Sequence, residues 1–235
     1  MAVIASIQVG RPRERGTEGA ADPMDRPWFS AFVKDPVTGP IALGTINLEG
    51  DDQADRVNHG GVDKAVLLYS SSHYPLWRAE LGLPEIPHGG WGENFTIDGQ
   101  AEPDVCIGDV YRMGDAVVQV SQPRQPCWKL ARRWRIKTLV VTTQNNGRTG
   151  WYCRVLKTGT VAPGDALEPI ERPNPDWTIS RANRIMHIDK RDLDAAAALA
   201  AVPELSANWK ATLGKRAAKQ EEVDPRRRLE GPDAR

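Results

Sequence analysis

Punctuation constrains this chain more than any other feature. From Met1 to about Arg172 the apolar stretches stay short, and Gly, Pro, Asp or Asn cuts each one off before a long helix can form. The 21 glycines and 18 prolines serve that pattern. Trp28 to Val33, Ile41 to Leu48, Ala65 to Tyr69, Phe95 to Ile97 and Ala116 to Val120 read as strands. Met1 to Val9 reads as a first strand with Val3, Ala5, Ile7 and Val9 on one face. It lacks the basic lead and cleavage site of a signal peptide. Met113-Gly114-Asp115-Ala116 predicts a hairpin, and Ala162-Pro163-Gly164-Asp165 predicts a turn leading into Ala166 to Ile170. Such strands imply a closed or strongly curved sheet, which leaves no open edge.

Helical signals interrupt the strands. Ser71 or Ser72 can cap a helix through His73, Trp77 and Leu81, with Pro75 tolerated in its first turn. Trp128 to Arg135 suits another short helix, and Ile136 to Thr143 fits either a helix or a strand. After Arg172 the texture changes. We therefore divide the chain into a strand-rich unit (1–172), a linker (173–177), three short helices (178–216) and a charged tail expected to be disordered (217–235). Thr178, Asp189 or Asp192, and Ser206 are the expected helix caps. The middle helix is rich in Ala and poor in large side chains, so the three should dock on something to be stable.

Composition excludes several classes. Lys plus Arg equals Asp plus Glu at 31 each, whereas a nucleic-acid binder normally shows a basic excess. No apolar run reaches the roughly 18 residues a membrane span needs. Cys106, Cys127 and Cys153 cannot build a disulfide framework, which fits a reducing cytoplasm, and they are too few for an iron–sulfur cluster.

Four segments can carry chemistry. In Gln122-Pro123-Arg124-Gln125-Pro126-Cys127-Trp128-Lys129, two prolines stiffen a loop and two cations flank a thiol. Nearby cations favour the thiolate, which attacks electrophiles or binds soft metals. The blander alternative is a small buried core residue, and Cys106 and Cys153 are read that way because they lie in apolar runs. In Asn58-His59-Gly60-Gly61-Val62-Asp63-Lys64, the glycines let backbone N–H groups approach an anion, with Lys64 adding charge; an ordinary turn is the alternative. In Gly92-Glu93-Asn94, the carboxylate and amide can bind a heterocycle, or Glu93 can simply hold neighbouring backbone. In Asn145 to Tyr152, a turn precedes two aromatics, and Arg148 or Arg154 can bind a phosphate or lie solvated. No Walker loop, dinucleotide fingerprint or paired-histidine metal spacing is present.

Taken together, and with Leu48 to Asp55, Ile107-Gly108-Asp109 and Thr149-Gly150-Trp151, these segments resemble the MOSC domain in its stand-alone bacterial form with a three-helix extension. The resemblance implies a mainly β fold: a MOSC-type β-barrel with a few short helices and a small C-terminal three-helix appendage. It implies that Cys127 is a molybdenum ligand or a sulfur acceptor. It further implies that His59, Gly60, Gly61, Lys64, Glu93, Asn94, Arg124 and Lys129 bind the molybdenum cofactor, molybdopterin with Mo.

The implied activity is a molybdenum-dependent oxidoreductase that reduces small N-hydroxylated substrates, hydroxylaminopurines or amidoximes, with electrons from a separate reductase. The alternatives are a cofactor or sulfur carrier without turnover and, ranked below both, a cysteine nucleophile with His59 as base. The family's association with pyridoxal phosphate finds no supporting lysine context. No membrane or direct nucleic-acid partner is expected, and the oligomeric state, a homodimer included, stays open. Residues 11–27 match no expected feature.

Overall fold

The computed structural model describes residues 1–56, 58–220 and 222–231. Its strands are β1 (Ala2–Val9), β2 (Arg13–Arg15), β3 (Trp28–Ser30), β4 (Asp35–Val37), β5 (Ile41–Leu43), β6 (Val66–Ser70), β7 (Phe95–Asp98), β8 (Val110–Met113), β9 (Ala116–Pro123), β10 (Trp151–Lys157), β11 (Gly159–Val161) and β12 (Ala166–Glu171). Its helices are α1 (His73–Leu81), α2 (Lys129–Trp134), α3 (Leu139–Asn146), α4 (Ile179–His187), α5 (Leu193–Ala200), α6 (Ala207–Ala217) and α7 (Arg226–Glu230), and Val62–Lys64 forms one 3-10 turn.

The sheet closes on itself. The strand order is β12-β8-β9-β10-β6-β7-β1, and β1 pairs back to β12 through Ala2↔Leu167 and Val3↔Ala166. β4 is appended to the far end of β1, through Ile7↔Val37 and Val9↔Asp35. The ring pairs are antiparallel except β6 with β7, which run parallel because α1 carries the chain across between them. All five residues of β6 are buried, as a strand covered on both faces requires. The β8–β9 hairpin turns at Gly114, with Met113 opposite Ala116 and a φ of 54° that favours glycine.

Two expectations about strands change. In β1 the buried apolar side chains are Ala2, Ile4 and Ile7, not Val3 and Ala5. A bulge in the pairing with β7, between Ile4 and Ser6, inserts a residue and flips the parity. Ile41 to Leu48 is not one strand: it stops at Leu43, and a turn brings Leu48 back beside Leu43. The ambiguous stretch after Ile136 is helical, as α3.

The C-terminal helices start where their caps predict. The Thr178, Asp192 and Ser206 side chains accept N–H bonds from Arg181, Ala195 and Trp209. Ile179, Ala182, Ile185, Met186, Leu199, Trp209 and Leu213 join the same apolar core as the barrel strands, so the Ala-rich unit is docked. A second core gathers Tyr69, Tyr74, Trp77, Trp91, Leu130 and Leu139 under α1, α2 and α3. The tail departs from the disorder expected of it. Arg216 pairs with Glu222 at 2.7 Å, residues 226–230 form α7, and Leu229 packs against the second core. Arg228 finds acceptors on the barrel side at Pro126 O and Gln144, which low hydrophobicity alone does not reveal. Glu221 and residues 232–235 of that tail lie outside the described residues.

Candidate functional site

The site begins where β9 runs out. Its pairing with β10 continues to Pro123 opposite Trp151, and the Arg124 N–H then donates to Gly150 O at 3.0 Å. The prolines keep the next residues extended until Leu130 N–H bonds Cys127 O at 3.0 Å and α2 starts. Cys127 is thereby pinned between a strand end and a helix start.

The His59 loop comes to it from the other side. Asp63 O accepts the Ser121 hydroxyl at 2.6 Å, and the Asp63 carboxylate pairs with Arg154 at 2.8 Å, which ties this loop to β9 and β10. His59 comes close enough to the Cys127 sulfur to act on its ionisation. His59 Nδ1 lies 3.4 Å from Asp55 Oδ2 but makes no hydrogen bond among the described residues.

Electrostatics then decide the state of the thiol. Burial pushes the Cys127 pKa up, but His59, through charge and hydrogen bond, followed by Arg124 and Lys129, outweighs it and holds the pKa at about 6. Burial outweighs the nearby Arg154 at Cys153 and raises it strongly; Cys106 is raised too, and both lie in the core.

Cys127 is only 4% exposed, yet it faces empty space on two sides. An inner pocket of about 70 Å³ continues into an outer cavity of about 550 Å³, and His59, Lys64, Cys127, Lys129 and Tyr152 line both. Two buried cations lack the partners such groups normally have. Arg124 Nη1 is buried with no hydrogen-bond partner, its guanidinium 5.8 Å above the Phe32 ring. Lys129, buried, makes no side-chain hydrogen bond among the described residues and lies 6.0 Å from the Trp128 ring. Lys64 donates to Asn58 O at 2.7 Å, and burial lowers its pKa.

The predicted residues divide. Cys127, His59, Lys64 and Lys129 line both spaces, and Arg124 and Asn94 line the inner one. Asn94 is otherwise committed: its amide accepts Leu67 N–H at 3.1 Å and donates to Asp51 at 2.9 Å. Glu93 does not reach the cavity. Its fully buried carboxylate accepts the Tyr74 hydroxyl, Gly89 N–H (2.6 Å), Trp91 N–H (3.1 Å) and the Thr96 hydroxyl (3.0 Å), so it organises its own loop. Gly60 and Gly61 are off both walls and only shape the approach of His59. Arg148 pairs with Glu80 at 2.8 Å, and with Arg154 bound to Asp63 neither is a phosphate site.

Sequence reading missed several wall residues. Tyr152 comes from β10, and burial pushes its pKa up to about 12, so it stays protonated. The buried Lys34–Asp51 pair closes the inner end. Residues 13–30 form a ribbon, β2 with β3, and place the exposed Phe29 on the outer wall. Asp55, beside His59, also lines the larger cavity.

Among the described residues no cluster of three or more His, Cys, Asp and Glu could hold a metal by itself. A single thiolate beside unsatisfied cations suits an anionic group that brings its own metal ligands. No helix among the described residues is long and apolar enough to cross a membrane.

Comparison with known proteins locates this arrangement. The MOSC domain family matches residues 55–168, and the YiiM-like 3-alpha helix domain matches residues 177–220. The YflK protein of Bacillus subtilis is 41% identical, covering 91% of this chain and 93% of its own. A Gibberella moniliformis protein named a reductase is 37% identical over 86% of this chain, which spans 35% of that longer protein. The crystal structure of YiiM from Geobacillus stearothermophilus superposes with a TM-score of 0.77 at 35% identity, covering 92% of this chain and all of that one.

Proposed function

Because this chain belongs to the MOSC-domain proteins that carry a YiiM-like three-helix domain, we propose that it holds a molybdenum cofactor against Cys127 and reduces N-hydroxylated compounds. One observation carries the reading: an ionised, enclosed Cys127 shares its cavity with an unpartnered Arg124 and an uncommitted Lys129. Cys127 would supply the protein's thiolate ligand, and Arg124, Lys64 and Lys129 would balance the cofactor's negative charge.

When bound, the molybdenum centre supplies the two-electron chemistry by which an N–OH group, with two protons, becomes N–H and water. His59 lies beside the sulfur on the cavity wall and favours the thiolate. Tyr152 presents a protonated hydroxyl to the same space, able to donate to a substrate heteroatom. The electrons come from a separate reductase. The Gibberella reductase, in which this region is about a third of the chain, is consistent with such a division.

Molybdenum measured on protein from a cofactor-competent host tests the reading. Wild type should hold the metal and Cys127→Ala should lose most of it; stoichiometric metal in the variant contradicts the ligand assignment.

A second reading, cofactor or sulfur transfer without turnover, draws on the lowered pKa of Cys127 in its cavity, since a thiolate can take the outer sulfur of a persulfide donor, whose own thiolate leaves. Reduction of an N-hydroxylated base by loaded protein and a chemical reductant separates the two. Full loading with no reduction favours the carrier.

A further inference from the structure

The outer wall of the Cys127 cavity comes from the segment that follows the three helices. Val223, Asp224, Arg227 and Arg228 all line it, although the YiiM-like match ends at residue 220. The segment is tied down at several points. Trp128 N–H donates to Arg228 O at 2.8 Å, directly beside the cysteine. The Arg228 guanidinium donates to Pro126 O at 2.5 Å and to Gln144 at 2.7 Å. Leu229 is seated on the second core, and Gly231 lies against the Trp128 ring.

The charges on this wall are unequal in what they have left to offer. Arg228 is spent on the loop, and Asp224 is spent on Arg226 at 2.6 Å. Arg227 is exposed and has no side-chain partner among the described residues. On the same cavity, Lys129 likewise makes no side-chain hydrogen bond among the described residues. At the mouth two large apolar residues stand open to solvent on the same cavity, Phe29 at 51% and Val223 at 81%. Exposed apolar side chains rimming a polar space mark a binding mouth rather than a packed surface.

We infer that residues 222–231 are a strap that sets specificity at Cys127: it limits the size of what reaches the sulfur, and Arg227 favours molecules bearing a negative group. This deepens the proposed function by naming a substrate preference, yet it concerns access to the sulfur whatever is held there. The test therefore uses metal-free protein, where loss of the molybdenum reading leaves the measurement intact.

Alkylation of Cys127 reads out both parts, followed by peptide mass spectrometry, with buried Cys106 and Cys153 as internal controls. Iodoacetate and iodoacetamide differ only in charge. N-ethylmaleimide and N-pyrenylmaleimide differ in bulk. Arg227→Glu should lower the iodoacetate-to-iodoacetamide rate ratio about fivefold, the scale of reversing one partly screened charge. A chain stopped after Gln220 should raise the pyrenyl-to-ethyl ratio about tenfold or more, as removal of a protecting segment does. An unchanged charge ratio in Arg227→Glu overturns the role of that residue. An unchanged size ratio in a truncated chain that still melts cooperatively overturns the strap. Should the truncation not fold, Val223→Trp carries the size test from an exposed position. Slower pyrenyl labelling is expected, and no change overturns the inference.

Discussion

Glu93 and Arg124 are both buried ionisable side chains, but the structure treats them in opposite ways. Four donors saturate Glu93. Glu93→Gln puts an amide where only acceptors fit and should cost about 3 kcal/mol in denaturant unfolding, the scale for breaking a buried charged network. Arg124 has a buried nitrogen with nothing to bind. Arg124→Met should therefore lower bound molybdenum while leaving metal-free stability unchanged or about 1 kcal/mol higher, since an unsatisfied donor has gone. The pair shows what sequence can convey at this scale. Cys127 is legible because its prolines and cations are its neighbours in the chain. The direction in which Glu93 points is not, because the conformation of its glycine-rich loop decides it. Tyr152 and the Lys34–Asp51 pair were invisible for another reason: strand pairing and long-range contacts assemble them.

At the scale of elements, the clearest sequence signals were turns and the caps of α4, α5 and α6, which are local. The expected serine cap of α1 makes no capping bond, the Ser72 and Ser71 hydroxyls going to Ser70 and Asp98 instead. The facing of β1 was misread because one bulge, set by its partner β7, shifts every following side chain. Local geometry also explains a sensitive point between elements. Gly150 opens β10 with a φ of 73°, and a Cβ there would sit 2.3 Å from Leu68 O. Its N–H donates to Glu102 and its carbonyl holds Arg124. Gly150→Ala should cost about 3 kcal/mol or more in thermal or denaturant unfolding and disturb the Cys127 loop as well.

The end of α4 predicts a pH dependence. Burial, reinforced by Arg228, Lys190 and Arg216, holds His187 down to about 3. Its unfolded value is near 6.5, so between those limits the unfolded chain binds the extra proton and stability rises with pH. The expected contribution is up to about 1.4 kcal/mol per pH unit in that window, vanishing above it. His187→Phe should flatten this part of the stability curve.

For the whole molecule, the class of fold was legible and its wiring was not. Short strands and turns announce a curved sheet, but the single parallel pair and the order of the ring follow from crossovers that no local pattern encodes. The helical unit belongs to the barrel energetically, because Ile179, Ile185 and Trp209 share its core. A peptide of residues 177–220 alone should show little helix by circular dichroism and no cooperative melt.

The ring also joins its earliest strand to its last, β1 to β12. On the ribosome, the Ala2–Val3 end of that edge must wait for Ala166 and Leu167 to emerge, whereas β4 can cover Ile7 to Val9 early. Barrel closure is thus deferred until β12 has been synthesised, and it is the slow, long-range step of folding.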